Sequence, residues 1–407
     1  MPPAGIPGRI RVRMTARPID EPHRVSSPLE LLFDLTFVVA IAAVTAQFAH
    51  SIAAGHALDG LVLFLLVFFS IWWAWMNFTW FASSYDTDDV PYRLLTMVQM
   101  AGVLVLAAGV PTAADHDDFR IVTLGYLIMR IGLVAQWLRA AVEDPPRRRT
   151  ALRYAAGITI LQAGWVLRLV LVETGVLTSW SALLLFFVGL VVLELAVPPW
   201  AERTGATTWH PHHIGERYGL FTIILLGESV LSATTAVEGA LAAGGVSGSF
   251  VTVAFSGLVL LFALWWLYFL QPAGEGLSDR RHRSYLWGYG HYGIFACLAA
   301  LGAGLEVAVE QSGHALAASP LVIGYAVAIP VAVFIALLRA VHVCLVAQPV
   351  IRPVVLVSCV VVILLLPLGA APLGVAAVVA ATAAVCVLLV AATIAPGLQV
   401  RPQEVNR

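Results

Sequence analysis

The sequence predicts an all-α polytopic membrane protein of about twelve transmembrane helices in two six-helix halves. Three observations carry that prediction. Of 407 residues, 60% are hydrophobic and 12% charged, and the mean hydropathy of +0.89 is too high for a soluble chain of this length. Apolar runs of membrane length recur from residue 28 to residue 394. The 23 basic residues are all arginine, and nearly all fall in alternate loops, as the positive-inside rule expects of cytoplasmic loops.

Residues 1–27 hold Arg9, Arg11, Arg13, Arg17 and Arg24 among prolines. With no apolar core, they read as a disordered basic tail and not as a cleaved signal peptide. The first span is Pro28 to His50, and an arginine-free loop leads to the second, about Gly60 to Ala82. After SSYDTDDVPYR the third begins near Tyr92, and the fourth, about Phe119 to Ala141, ends in Arg147, Arg148 and Arg149. Spans five and six follow at about Ala151 to Val172 and Trp180 to Val197. The loop AERTGATTWHPHHIGER opens the seventh, about Glu216 to Thr235, and the eighth runs from about Phe250 to Leu270. Arg280, Arg281 and Arg283 precede the ninth, about Tyr285 to Leu305; the tenth is near Leu321 to Val343. Gly369 and Pro372 separate the last two, Pro353 to Leu368 and Leu373 to Ile394. Of the outer loops only the one after the third span has an arginine, Arg120. Both termini, including residues 397–407, are therefore expected in the cytoplasm, with the protein in the bacterial cytoplasmic (inner) membrane.

The halves, residues 28–199 and 200–396, read as diverged copies. Glu30 opens the first helix and Glu216 the seventh; Trp72-Trp73 recurs as Trp265-Trp266, and Leu138-Arg139-Ala140 as Leu338-Arg339-Ala340. An even number of helices per half implies a parallel repeat about an axis along the membrane normal, a plan that places sites where the halves meet.

Ionisable residues within apolar helices are the candidate functional groups, because a charge in hydrocarbon costs at least ~2.5 kcal/mol unless it meets a partner or water. Glu30 and Asp34 lie four residues apart, about 40° around one helix and so on one face. His213, Arg217 and Glu228 form a stripe on the seventh helix, with Glu216 at its start. Glu228 lies about 18 Å beyond Glu216, near mid-membrane. It reads either as a neutral structural hydrogen-bond donor or as a proton- or cation-binding group. Asp86, Asp88 and Asp89, just before Arg93, could bind a cation, or cap the third helix and pair with Arg93. His291, between Tyr289 and Tyr292, is either a pH-sensitive partner for a buried carboxylate or a satisfied core imidazole. Arg130 and Arg168 also fall within spans, with Glu194 as a candidate counter-charge.

Several classes are excluded. Without lysine there is neither a Schiff-base chemistry, retinal included, nor a P-loop. Cys297, Cys344, Cys359 and Cys386 lack CxxC spacing and read as small hydrophobes. His210, His212 and His213 resemble a metal tract but lack cysteines, so no metal is expected. No cofactor signature, GxSxG or HExxH occurs, and no enzyme is expected. The implied partners are the lipid bilayer and a small solute, cation or proton, not nucleic acid; a homo-oligomer is compatible with the sequence.

The segments PLELLFDLTFVVA, TWFASSYDTDDVPYR, HIGERYGLFTIILLGES and YGH, with the helix count, resemble the bacterial low temperature requirement protein A family. Leu32 stands where that family's ELFFDL motif has phenylalanine. The resemblance implies a polytopic inner-membrane protein and assigns no activity. ELLFDLTFVVAIA is also similar to the first-helix motif of two-repeat potassium channels of lysosomes and bacteria, with Pro28 where those channels carry arginine. The expectation is a proton-coupled secondary transporter whose halves enclose Glu30, Asp34, Arg217, Glu228 and His291. A cation channel is the alternative, and a lipid-modifying enzyme using His291 or His213 as base a third.

Overall fold

The computed structural model describes residues 10–22, 24–242, 247–345 and 351–394. Residues 1–9, with Arg9, and the expected tail at 397–407 lie outside them. The described residues form helices, turns and loops, with no strand among them. In order these are α1 (Pro28–Ala53), α2 (Ala57–Tyr85), α3 (Val90–His116), α4 (Arg120–Glu143), α5 (Arg148–Glu173), α6 (Trp180–Ala201) and α7 (Pro211–Ala242). There follow α8 (Gly248–Tyr268), the short α9 (Ala273–Asp279), α10 (Ser284–Gln311), α11 (Pro320–Leu345), α12 (Pro353–Leu365), the single turn α13 (Ala370–Leu373) and α14 (Val375–Ile394). Among the described residues, eleven helical stretches are long and apolar enough to cross a membrane. The 32-residue α7 falls on the seventh predicted span.

The helices group into two compact units, Met1–Ala40 with Ser70–Ile214, and Ile41–Phe69 with Gly215–Arg407. In the first, α3 to α6 pack in series as antiparallel neighbours. Hydrocarbon gives no hydrophobic drive for that association, so small residues that let backbones approach must supply it through van der Waals contact. Gly125 of α4 shows how close the approach is: a Cβ there would lie 2.3 Å from the backbone nitrogen of Leu106 on α3. In the second unit α10 packs on α11 and α8, and α14 on α8. A Cβ at Gly304 of α10 would lie 2.4 Å from the Ala326 carbonyl oxygen of α11.

The basic N-terminal segment is more ordered than its composition predicts. Met14 is fully buried and Arg24 only 8% exposed. Arg11 pairs with Glu143 at 2.9 Å, Arg13 Nε donates to the Glu143 carbonyl, and Arg17 and Arg24 approach Asp86. Acids at distant helix ends hold it in place, and composition does not reveal them.

The residues that mark the sequence repeat occupy unlike surroundings. Trp72 and Trp73 are buried whereas Trp265 and Trp266 are each 44% exposed; Glu30 is fully buried whereas Glu216 is exposed. Arg139 meets an acid, while the Nη1 of Arg339 is buried without a hydrogen bond.

Candidate functional site

The first helix starts with Ser27-Pro28-Leu29-Glu30, and the structure closes it as a capping box. The Ser27 backbone N–H donates to Glu30 Oε2 at 2.7 Å, and the Glu30 N–H donates to Ser27 Oγ at 3.3 Å. Glu30 Oε1 is left to face inward, where it lies 3.1 Å from His213 Nε2 and 3.8 Å from Arg24 Nη2. Both Glu30 and His213 are fully buried. Arg24 also approaches Asp86, at 3.6 Å, and Arg17 lies 3.8 Å from the same carboxylate. Burial and the nearby Glu30 carboxylate push the Asp86 carboxyl up to about 6, against the opposing pull of Arg24 and Arg17. Arg17 in turn holds Glu21 below the usual carboxylate range through a two-pronged hydrogen bond. His210 accepts from the His213 N–H, and burial with its histidine neighbours pulls its imidazole down. His212 is exposed, whereas His210 and His213 are buried.

Asp34, one turn beyond Glu30, accepts a 2.7 Å hydrogen bond from Trp75 Nε1 of α2. The acidic run before α3 splits its tasks. Asp88 pairs with Arg93 in the open, at 2.7 and 2.8 Å. Asp89 caps α3 by accepting from the Tyr92 N–H, and the Arg139 guanidinium grips it with two bonds of 2.6 and 2.8 Å. These bonds, with one from the Val12 N–H, hold the Asp89 carboxyl down at about 2 despite its burial. Capping α3 and pairing with Arg93 thus fall to different acids of the run, and the capping Asp89 is gripped by Arg139, fifty positions later.

Deep in the same unit, Glu194 of α6 and Arg130 of α4 meet as counter-charges at 3.6 Å, each 1% exposed. Glu194 also accepts from Trp73 Nε1 at 2.7 Å, Trp165 Nε1 at 3.1 Å, the Tyr126 hydroxyl at 3.1 Å and Gln162 at 3.4 Å. Arg168 does not join this group; its guanidinium lies over the Phe187 ring at 5.7 Å.

In the second unit, His291 is a satisfied core imidazole and faces no carboxylate among the described residues. Its Nδ1 donates to the Trp287 carbonyl at 2.8 Å, which leaves Nε2 to accept from the Tyr268 hydroxyl at 3.2 Å, with the Tyr218 ring against its edge. Arg217 is fully buried. Glu228 is 5% exposed; Ser232 donates to its Oε1 at 3.4 Å, and its Oε2 makes no hydrogen bond. Glu306 of α10 shares Ser232, and the charges acting on it are Glu310 and Glu228, both acids.

The five residues expected in one site do not form a single cluster within either unit. Glu30 and Asp34 belong to the first, with separate partners; Arg217, Glu228 and His291 belong to the second. His291 and Glu306 are fifteen residues apart on α10, about 22 Å along its axis. Glu306 lies just beyond the ninth predicted span, which ends at about Leu305, whereas α10 continues to Gln311.

A relative, Uncharacterized protein RA0937 of Rhizobium meliloti (strain 1021), is 28% identical over 281 residues, and the match covers 65% of each chain. The chain thus spans about two thirds of the length of that relative. Residues 25–392 match the family described as Bacterial low temperature requirement A protein (LtrA). That range begins beside Arg24 and takes in Glu30, Asp86, Asp89, Glu194, His213, Glu228 and Glu306, so nearly the whole helical chain, with every acid cluster above, is that of a member of the LtrA family.

Proposed function

We propose that this LtrA-family protein is a proton-coupled secondary transporter of a small solute. In this reading two six-helix halves lie in the cytoplasmic membrane with both termini inside, and the proton is held at Glu228, Ser232 and Glu306. The carrying observation is a pair of carboxyl groups on neighbouring helices with no basic side chain among the described residues acting on either. The helices come close: Ser229 Oγ lies 3.4 Å from the Leu298 carbonyl oxygen, and a Cβ at Gly302 would be 3.0 Å from that hydroxyl. Two carboxylates facing each other in a low dielectric repel unless a proton or cation comes between them. Ser232 has one proton to donate, so it serves one carboxylate at a time, and a proton on the other completes the set. Loss of that proton would press α7 and α10 apart, which couples protonation to helix movement. The arginine distribution supports the orientation.

The test uses purified protein in proteoliposomes with the pH dye pyranine trapped inside and a panel of amino acids, sugars and organic anions outside. Wild type is expected to move protons only with a solute, and Glu228→Gln and Glu306→Gln to remove the pH dependence while leaving the protein folded. Unchanged pH dependence in both variants refutes the assignment. Potassium flux that persists with no proton gradient and no solute would mark a channel instead.

A further inference from the structure

In the second unit a cleft open to its surroundings, about 430 Å³ with that open part included, lies among residues of α8, α11, α12 and α14. Leu267, Leu338, Leu356 and Leu389 form apolar walls, Arg339 supplies positive charge, and His342 adds an imidazole that can donate a hydrogen bond. The lining contains no acid among the described residues. Arg339 Nη1 is buried and makes no hydrogen bond. Arg339 is only partly buried, but its charge persists whatever its surroundings, and the Nη1 left without a hydrogen bond is free to donate to an anion. The carbonyl end of α11 offsets only about half a charge.

The neighbourhood favours an anion as well. Arg280 and Arg283 donate to the Cys344 carbonyl, at 3.4 and 3.1 Å, and Arg352 immediately precedes α12; the acids of that segment are Glu275 and Asp279. Exposed Val343, Val357 and Leu388 flank the lining residues on α11, α12 and α14. In a membrane such faces meet acyl chains. We propose that this cleft is a binding site for an anionic phospholipid, its phosphate held by Arg339 and His342 and an acyl chain laid along the leucine walls. Arginine suits that task because its planar fork matches phosphate oxygens, and basic recesses between transmembrane helices hold such headgroups. This inference stands on the cleft and does not depend on the proton site.

Native mass spectrometry of the full-length protein in detergent tests it, with phosphatidylglycerol and phosphatidylcholine of identical acyl chains and with inorganic phosphate as probes. Wild type is expected to retain phosphatidylglycerol over phosphatidylcholine. Arg339→Gln should lower phosphatidylglycerol retention about five-fold, the share of one cation near an anionic headgroup, and Arg339→Lys should keep most of it. Equal retention of the two lipids by wild type overturns the proposal and needs no variant. So does an Arg339→Gln protein that retains phosphatidylglycerol as wild type does, or saturation by inorganic phosphate that displaces no lipid.

Discussion

Replacing Glu194 by glutamine should destabilise the first unit more than removing its partner Arg130. The asymmetry follows from how each charge is satisfied. Glu194 receives four hydrogen bonds from neutral donors, Trp73, Tyr126, Gln162 and Trp165, about as many as a carboxylate can accept. Arg130 has far less. Its Nε and Nη1 are buried without hydrogen bonds, and its Nη2 donates only to the Tyr126 hydroxyl, which itself donates to Glu194. Glu194→Gln therefore strands a buried guanidinium, a loss of about 3–5 kcal/mol, and turns an amide N–H toward the indole donors. Arg130→Met removes one charge-assisted contact from a carboxylate that keeps four others, about 1–3 kcal/mol. The double variant should be more stable than Glu194→Gln alone, because it no longer buries an unanswered cation. Thermal unfolding in detergent measures all three, with a fall of roughly 10 °C expected for Glu194→Gln. A melting temperature for Glu194→Gln at or above that of Arg130→Met would refute the reasoning, as would a double variant no better than Glu194→Gln.

Two neighbouring aspartates should give opposite pH signatures. Asp89, held at about 2 against an ordinary 3.8, contributes stability that is full above pH 4 and lost as pH falls toward 2, about 2 kcal/mol; Asp89→Asn should abolish that acid-side loss in a pH series of melting temperatures and lower stability at pH 7. Asp86, pushed up to about 6, contributes its stability below pH 4 and loses it as pH rises through 6, so Asp86→Asn should flatten the profile between pH 4 and 6, and an unchanged slope would show that the arginines compensate it fully. Gly125→Ala would drive a methyl group into the α3 backbone, 2.3 Å from the Leu106 nitrogen, and should cost at least about 2 kcal/mol or block folding; wild-type melting would mean that α3 and α4 separate readily.

What could be read from sequence was the element order, because hydropathy and arginine placement act locally, residue by residue. The partners could not. Glu194 meets Trp73 across 121 positions, Asp89 meets Arg139 across 50, and Arg11 meets Glu143 across 132; no periodicity links residues so far apart. The role of Glu30 was partly legible: Ser27 and Glu30, three residues apart at the start of an apolar run, are a capping-box signature, and half of that carboxylate is spent on its own helix. Glu306 escapes the sequence reading by one residue, since a hydropathy boundary at Leu305 discards the acid that α10 carries onward. Chemistry at a helix end is easily lost to a boundary drawn on apolarity alone.

In the proposed reading, the balance of charge around a buried acid, and not burial alone, separates a working group from a strut. Glu30 has His213 and Arg24, Asp89 has Arg139, and Glu194 has Arg130 with two indoles. Each of these acids is answered by fixed cations or fixed donors, so titrating it would break structure, which suits a strut. Glu228 and Glu306 lie near Ser232 on neighbouring helices, and no fixed cation among the described residues acts on either. Ser232 satisfies at most one of them, and in the proposed reading the balancing positive charge is a mobile proton. A binding event can supply it and release can withdraw it, and in a helix pair separated by little more than a glycine this is a displacement a transporter can use.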